Sequence, residues 1–165
     1  LMDVGCYPVS LMRLAAGEEP VSCSAAGVLG RRSKVDHWAA GVLKFPGGAV
    51  GHFDCGMMVN TDWSVTIFGT AGKIRVVSPW VPGPKDAVLE VTRWADGRTE
   101  RVPAPAKHIF ANEAEAVARA LAAGRREAPE MTWADTLGNM RALDLLRASL
   151  GLRWPAKAAR TRRAR

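Results

Sequence analysis

Cysteine is scarce in this chain. Cys6, Cys23 and Cys55 are odd in number, far apart and free of any C-x-x-C pair, a pattern that argues against a disulfide framework and a zinc site. Histidine is equally sparse, and His37, His52 and His108 show neither H-x-x-x-H nor H-E-x-x-H spacing. No run approaches the roughly 18 to 20 apolar residues that a membrane span needs. The opening LMDVGCYPVSLMRLAAGEEP lacks the basic start of a signal peptide. Together these absences predict a soluble, cytoplasmic chain with reduced thiols and no metal. There is also no G-x-G-x-x-G at a strand-to-helix junction, so nothing here predicts a seat for a dinucleotide pyrophosphate. GTAGKI at 69–74 is too short for a P-loop and has Ile74 where Ser or Thr would hold magnesium.

The chain has 165 residues, enough for one domain with a real core and too few for two of full size. Its net charge of +7 raises the question of nucleic acid, and the answer lies in where the charge sits. Residues 1–152 carry 17 of the 23 Lys and Arg and all 16 acids, so the body is near neutral. The remaining cations lie in the end segment RWPAKAARTRRAR, where the run PAKAARTRRAR has alanine spacers and no aromatic for base stacking. The expected division is a folded unit over 1–152 and a basic, solubilising, disordered tail over 153–165, with nucleic acid an unlikely partner.

Apolar residues Val4, Tyr7, Leu11 and Leu14 recur at helical spacing between Asp3 and Ala16, with Gly17 as a left-handed stop and Asp3 where an N-cap acceptor would stand. From VSCSAAGVL to RTERVPA, six or seven short strands follow, separated by the turns PGG at 46–48, GTAG at 69–72 and ADG at 95–97. The first turn predicts a hairpin in which Trp38 to Phe45 pairs with Ala49 to Gly56. A second helical region lines up Ile109, Ala116, Val117, Ala120 and Leu121 and stops at Gly124. A third starts at Thr132 with Asp135 three residues on and runs to Leu150, its core stripe including Leu137, Met140 and Leu143. The fold class expected is α+β, a mostly antiparallel open β-sheet with helices packed on one face. Strands bearing Trp38, Phe53, Met57, Met58, Trp63 and Phe68 suggest that the sheet's other face meets a second surface, hence a homo-oligomer through the sheet.

Five pieces in order carry a family likeness: LMDVGCYPVSLMRLAAGEEP, VDHWAAGVLKFPGGAVGHFDCG, IFGTAGKI, NEAEAVARALAAG and MTWADTLGNMRALDLLR. Over roughly residues 1–152 they resemble the C-terminal domain of the glucose-fructose oxidoreductase, inositol dehydrogenase and rhizopine-catabolism (Gfo/Idh/MocA) family. The resemblance implies a two-domain subunit whose N-terminal Rossmann domain binds NAD or NADP and ends in E-K-P. Its C-terminal sheet domain would complete the substrate cleft and form the oligomer interface. E-K-P is nowhere in this chain, and the sequence opens at Leu1 without an initiator Met, so an upstream half is expected.

One motif carries the functional part of the resemblance. Asp3 and Tyr7 match the family's D-x-x-x-[H/Y] spacing, which on one helix would turn both side chains toward a single ligand. The chemistry implied is hydride transfer between a nicotinamide and a sugar, polyol or trans-diol, with Tyr7 as proton donor or acceptor and Asp3 holding a hydroxyl or orienting Tyr7. A phenol of ordinary pKa about 10 serves this role near neutrality only beside a cation, which in the family is the absent lysine of E-K-P. Without its missing half, the chain is expected to be inactive. His108, Trp63 and Asp62 are read as a strand-end aromatic or turn residues and not as site members. The alternatives are a non-catalytic dimerisation or binding module and, on the tail alone, a polyanion binder.

Overall fold

The computed structural model describes residues 1–82, 87–105 and 108–152. The proposed tail, 153–165, lies outside the described residues. The order is α1 (Cys6–Ala16), β1 (Ser22–Leu29), β2 (Asp36–Lys44), β3 (Val50–Gly56), β4 (Val65–Phe68), β5 (Gly72–Val76), β6 (Ala87–Arg93), β7 (Thr99–Ala104), α2 (Ile109–Ala122) and α3 (Trp133–Ser149). All pairings are antiparallel, and the α+β class is as expected. The strands form two sheets, β1-β2-β3 and β4-β5-β6-β7, rather than one continuous ladder. The irregular connection 57–64 separates them.

Turn chemistry produced the predicted hairpins. Trp38 faces Gly56 and Lys44 faces Val50, and the Phe45 amide closes onto the Ala49 carbonyl at 2.9 Å. Glu18 caps this turn by accepting from the Gly47 amide at 2.9 Å. At 69–72 the Gly69 amide bonds the Gly72 carbonyl at 2.8 Å, and at 95–97 the Gly97 amide bonds the Arg93 carbonyl at 3.0 Å.

The core lies between the first sheet and helices α1 and α3. Val9, Ala39, Leu43, Phe45, Phe53, Cys55, Leu143 and Leu146 are buried together there. Each fully buried Leu in this group contributes about 1.5–3 kcal/mol by leaving water. Gly41 is required by this packing, because a Cβ at that position would lie 2.6 Å from Cε1 of Phe53, the residue opposite it on β3. Ser149 ties the edge strand to α3 by accepting from the Ala25 amide and donating to the Leu146 carbonyl, both at 2.8 Å. On α1, Arg13 is only 7% exposed and pairs its guanidinium with Glu19, while its Nη1 donates to the Asp135 carbonyl of α3 at 3.1 Å. That guanidinium holds the Glu19 carboxyl below the usual carboxylate range.

Several expectations are corrected. Helix α1 begins at Cys6, its N-cap is Gly5, and no side chain caps it. Pro8 explains this: it has no N–H to give to Val4, so it is accommodated in a first turn but not deeper in a helix that began near Asp3. Gly17 does end the helix in the left-handed region, with φ 66°. Thr132 and Asp135 form the expected capping box of α3, but Leu137 and Met140 are exposed, and the buried stripe is Gly138, Ala142, Leu143, Leu146 and Arg147. In α2 only Ala116 and Ala120 are buried, whereas Val117 and Leu121 face outward. The 3.6-residue period marks an apolar stripe, but which part of it is covered depends on the neighbouring elements. Phe53 faces the core rather than an outer surface, and Met57, Met58 and Trp63 lie on the connection between the sheets.

The second sheet contains no buried residue on either face. Its register nevertheless separates two characters. Val65, Val76, Leu89 and Val102 form one cross-strand row, and Ile67, Ile74 and Val91 form the next on the same face, a row that ends on β7 at Glu100, paired with Arg93 at 3.4 Å. On the opposite face Thr66, Arg75, Glu90 and Arg101 are in line, with Glu90 between the two arginines at 3.6 and 3.9 Å. Phe68 lies on this polar face, in line with Lys73, Thr92 and Thr99.

Candidate functional site

The N-terminal end of α1 brings the two sequence-predicted site residues near each other without joining them. Asp3 is exposed in the turn before the helix and gives its backbone oxygen to the Cys6 thiol, at 3.2 Å. Tyr7, in the first turn of α1, is 54% exposed. Among the described residues no hydrogen bond links Asp3 to Tyr7, and the two do not share one helix face, because Asp3 precedes the helix. The neighbour that Tyr7 does have is Trp80, whose ring centroid lies 5.9 Å away with the planes tilted by 40°. Trp80 comes from the connection after β5, where Ser78 Oγ donates to the Val81 carbonyl at 3.0 Å and closes a turn around it.

Nothing in the local pattern around SPWVP singles out Trp80. Its 73-residue separation from Tyr7 is closed only by the tertiary fold. The residues set aside earlier have local duties. Asp62 accepts from the Ser64 amide and hydroxyl at 3.0 and 2.8 Å, which hold its carboxyl low. Trp63 is exposed, and His108 stands at the N-cap of α2 with its ring against Phe110.

Cys6, Cys23 and Cys55 are free thiols, and burial pushes each above its ordinary pKa, the opposite of what a thiolate nucleophile requires. Among the described residues no three His, Cys, Asp or Glu side chains are grouped to hold a metal. A nicotinamide dinucleotide finds no pyrophosphate cradle here, because no described strand passes through a glycine-rich turn into a helix start. Among the described residues, no helix is long and apolar enough to cross a membrane.

Antiparallel sheets carrying helices, with a tyrosine exposed at the start of α1, define an α+β domain. Comparison with known proteins finds a family likeness over the first part of the chain. Residues 1–75 match the GFO/IDH/MocA C-terminal domain.

Trans-1,2-dihydrobenzene-1,2-diol dehydrogenase of Mus musculus is 26% identical over 165 residues, covering 94% of this chain and 47% of the relative. D-xylose 1-dehydrogenase (NADP(+)) 2 of Haloferax volcanii is 29% identical over 146 residues, covering 88% of this chain and 44% of the relative. The chain thus spans about half the length of the curated relatives it matches. Among solved structures, a 3-ketoreductase from Actinomadura kijaniata in complex with NADP superposes with a TM-score of 0.72 at 23% identity, over 91% of this chain and 47% of that one. UDP-N-acetylglucosamine 3-dehydrogenase from Acidithiobacillus ferrooxidans gives 0.71 at 22%, over 90% and 46%. At such identities the superpositions establish the fold. The relatives named are oxidoreductases, acting on a diol in one case and a sugar in the other.

Proposed function

We propose that residues 1–152 are the substrate-binding and dimerisation domain of an NAD(P)-dependent oxidoreductase acting on a sugar, polyol or trans-diol. The observation that carries this reading is that the stretch matched to the family, 1–75, is the one that presents Tyr7 exposed at the start of α1. The nicotinamide, held outside these residues, would take or give the hydride. This chain would manage the proton: as an alcohol becomes a carbonyl, its O–H proton passes to Tyr7 Oη, which must stand as the phenolate and becomes the phenol, and in reduction the phenol gives that proton back. Asp3, exposed in the preceding turn, would accept a hydrogen bond from a second hydroxyl of the ligand. Three free thiols suit a reducing cytoplasm.

The test is turnover by the full-length polypeptide containing this chain, with NADP+ or NAD+ and either trans-1,2-dihydrobenzene-1,2-diol or D-xylose. Appearance of the reduced nicotinamide with either substrate is expected. Its absence across a panel of cyclic diols and aldoses would leave the domain a binding module.

The apolar face of the second sheet is the proposed dimerisation surface. The opposite face is satisfied in water by its Arg75, Glu90 and Arg101 ladder, whereas on this face Ile67 and Ile74 are exposed and Val76, Leu89, Val91 and Val102 are only partly buried. Sedimentation at tens of micromolar is expected to show a dimer that Ile74→Lys converts to monomer with unchanged secondary structure. A wild-type monomer would refute the assignment.

A further inference from the structure

We infer that Trp80 is the specificity-determining wall of this site, an aromatic platform for the ring of a cyclic diol or sugar whose hydroxyl edge meets Tyr7. This inference rests on the function proposed above and assigns the part of the substrate that Tyr7 and Asp3 cannot read.

Two polar side chains can recognise hydroxyls, but ring substrates also present a broad apolar face. Binding sites for such ligands combine a few convergent polar groups with aromatic walls. Trp80 is the aromatic that the fold delivers to Tyr7, across 73 residues of sequence and from the connection after β5. At a centroid distance of 5.9 Å and a tilt of 40°, the rings touch at an angle instead of stacking face to face, so neither covers the other's π surface. Tyr7 is more than half exposed, and Trp80 is partly exposed.

The platform is also held in place. Pro79 restricts the backbone immediately before Trp80, and the Ser78 hydroxyl bond to Val81 closes the turn, so ordering the indole on binding costs little. Mere anchoring of the second sheet to α1 would require only an apolar side chain here. A planar, unsaturated diol ring covers more of an indole face than a puckered sugar ring does, so removal of the indole must penalise the first more than the second.

The experiment uses the full-length polypeptide with NADP+ and two probes, trans-1,2-dihydrobenzene-1,2-diol and D-xylose, comparing wild type with Trp80→Leu and Trp80→Phe. Trp80→Leu is expected to lower kcat/KM for the diol by about tenfold, chiefly through KM, and for D-xylose by about threefold or less. Trp80→Phe, which keeps a ring and guards against misfolding, is expected to recover most of the diol preference. If only one probe is turned over, a rise in its KM at constant kcat in Trp80→Leu, reversed in Trp80→Phe, supports the assignment. Equal losses on both probes, no loss, or a Leu variant as good as Phe would overturn the role of Trp80 while leaving the oxidoreductase reading intact. Failure of wild type to turn over either probe, or the wider panel, overturns both.

Discussion

Tyr7→Phe is expected to lower kcat of the full-length enzyme by about 10²- to 10⁴-fold, the range typical of a lost general acid or base, while cofactor affinity stays within about twofold. The substitution removes a single oxygen. The ring that packs beside Trp80 is retained, and Tyr7 is exposed at the helix start, so neither the fold nor the core loses a contact. What disappears is the O–H that would exchange a proton with the substrate hydroxyl. Turnover followed by nicotinamide absorbance, with cofactor binding titrated separately, distinguishes the two effects. Unchanged kcat would remove Tyr7 from the mechanism and leave it as an aromatic neighbour of Trp80.

Phe45→Ala is expected to destabilise the domain by about 3–5 kcal/mol, the range for removing a fully buried aromatic. Phe45 is 2% exposed and sits where β2 enters its turn, so its loss opens a cavity in the one core that joins sheet and helices. At roughly 2–4 °C per kcal/mol for a chain of this size, the melting midpoint should fall by about 6–20 °C. Phe68→Ala is the matched control. That ring is 71% exposed on the polar face of the second sheet, and its loss should change stability by no more than about 0.5 kcal/mol. A comparable loss from both variants would mean that the second sheet is covered in solution on the face read here as open to water.

Much of the fold was legible because its causes are local. The turns at 46–48, 69–72 and 95–97 set each hairpin between neighbours, so strand order within each sheet and the pairing of Trp38 with Gly56 followed from residues a few positions apart. The capping box at Thr132 and the stop at Gly17 are likewise short-range. The start of α1 is less local than it looks: Asp3 offers a cap acceptor, but Pro8 moves the N-cap two residues on, to Gly5. Burial was read less well than period. Val117, Leu121, Leu137 and Met140 lie on genuine apolar stripes, yet all four are exposed.

The sequence by itself determined the α+β class, the hairpins, the likeness to the Gfo/Idh/MocA C-terminal domain and the choice of Tyr7. All of these depend on residue chemistry and near-neighbour spacing. Only the tertiary structure decided that the strands divide into two sheets, that the second sheet sets two mainly apolar rows on one face and an Arg–Glu–Arg line on the other, and that Trp80 meets Tyr7. These are matters of long-range geometry. Where a surface finds its partner depends on the summed direction of every turn between them, which no local pattern encodes.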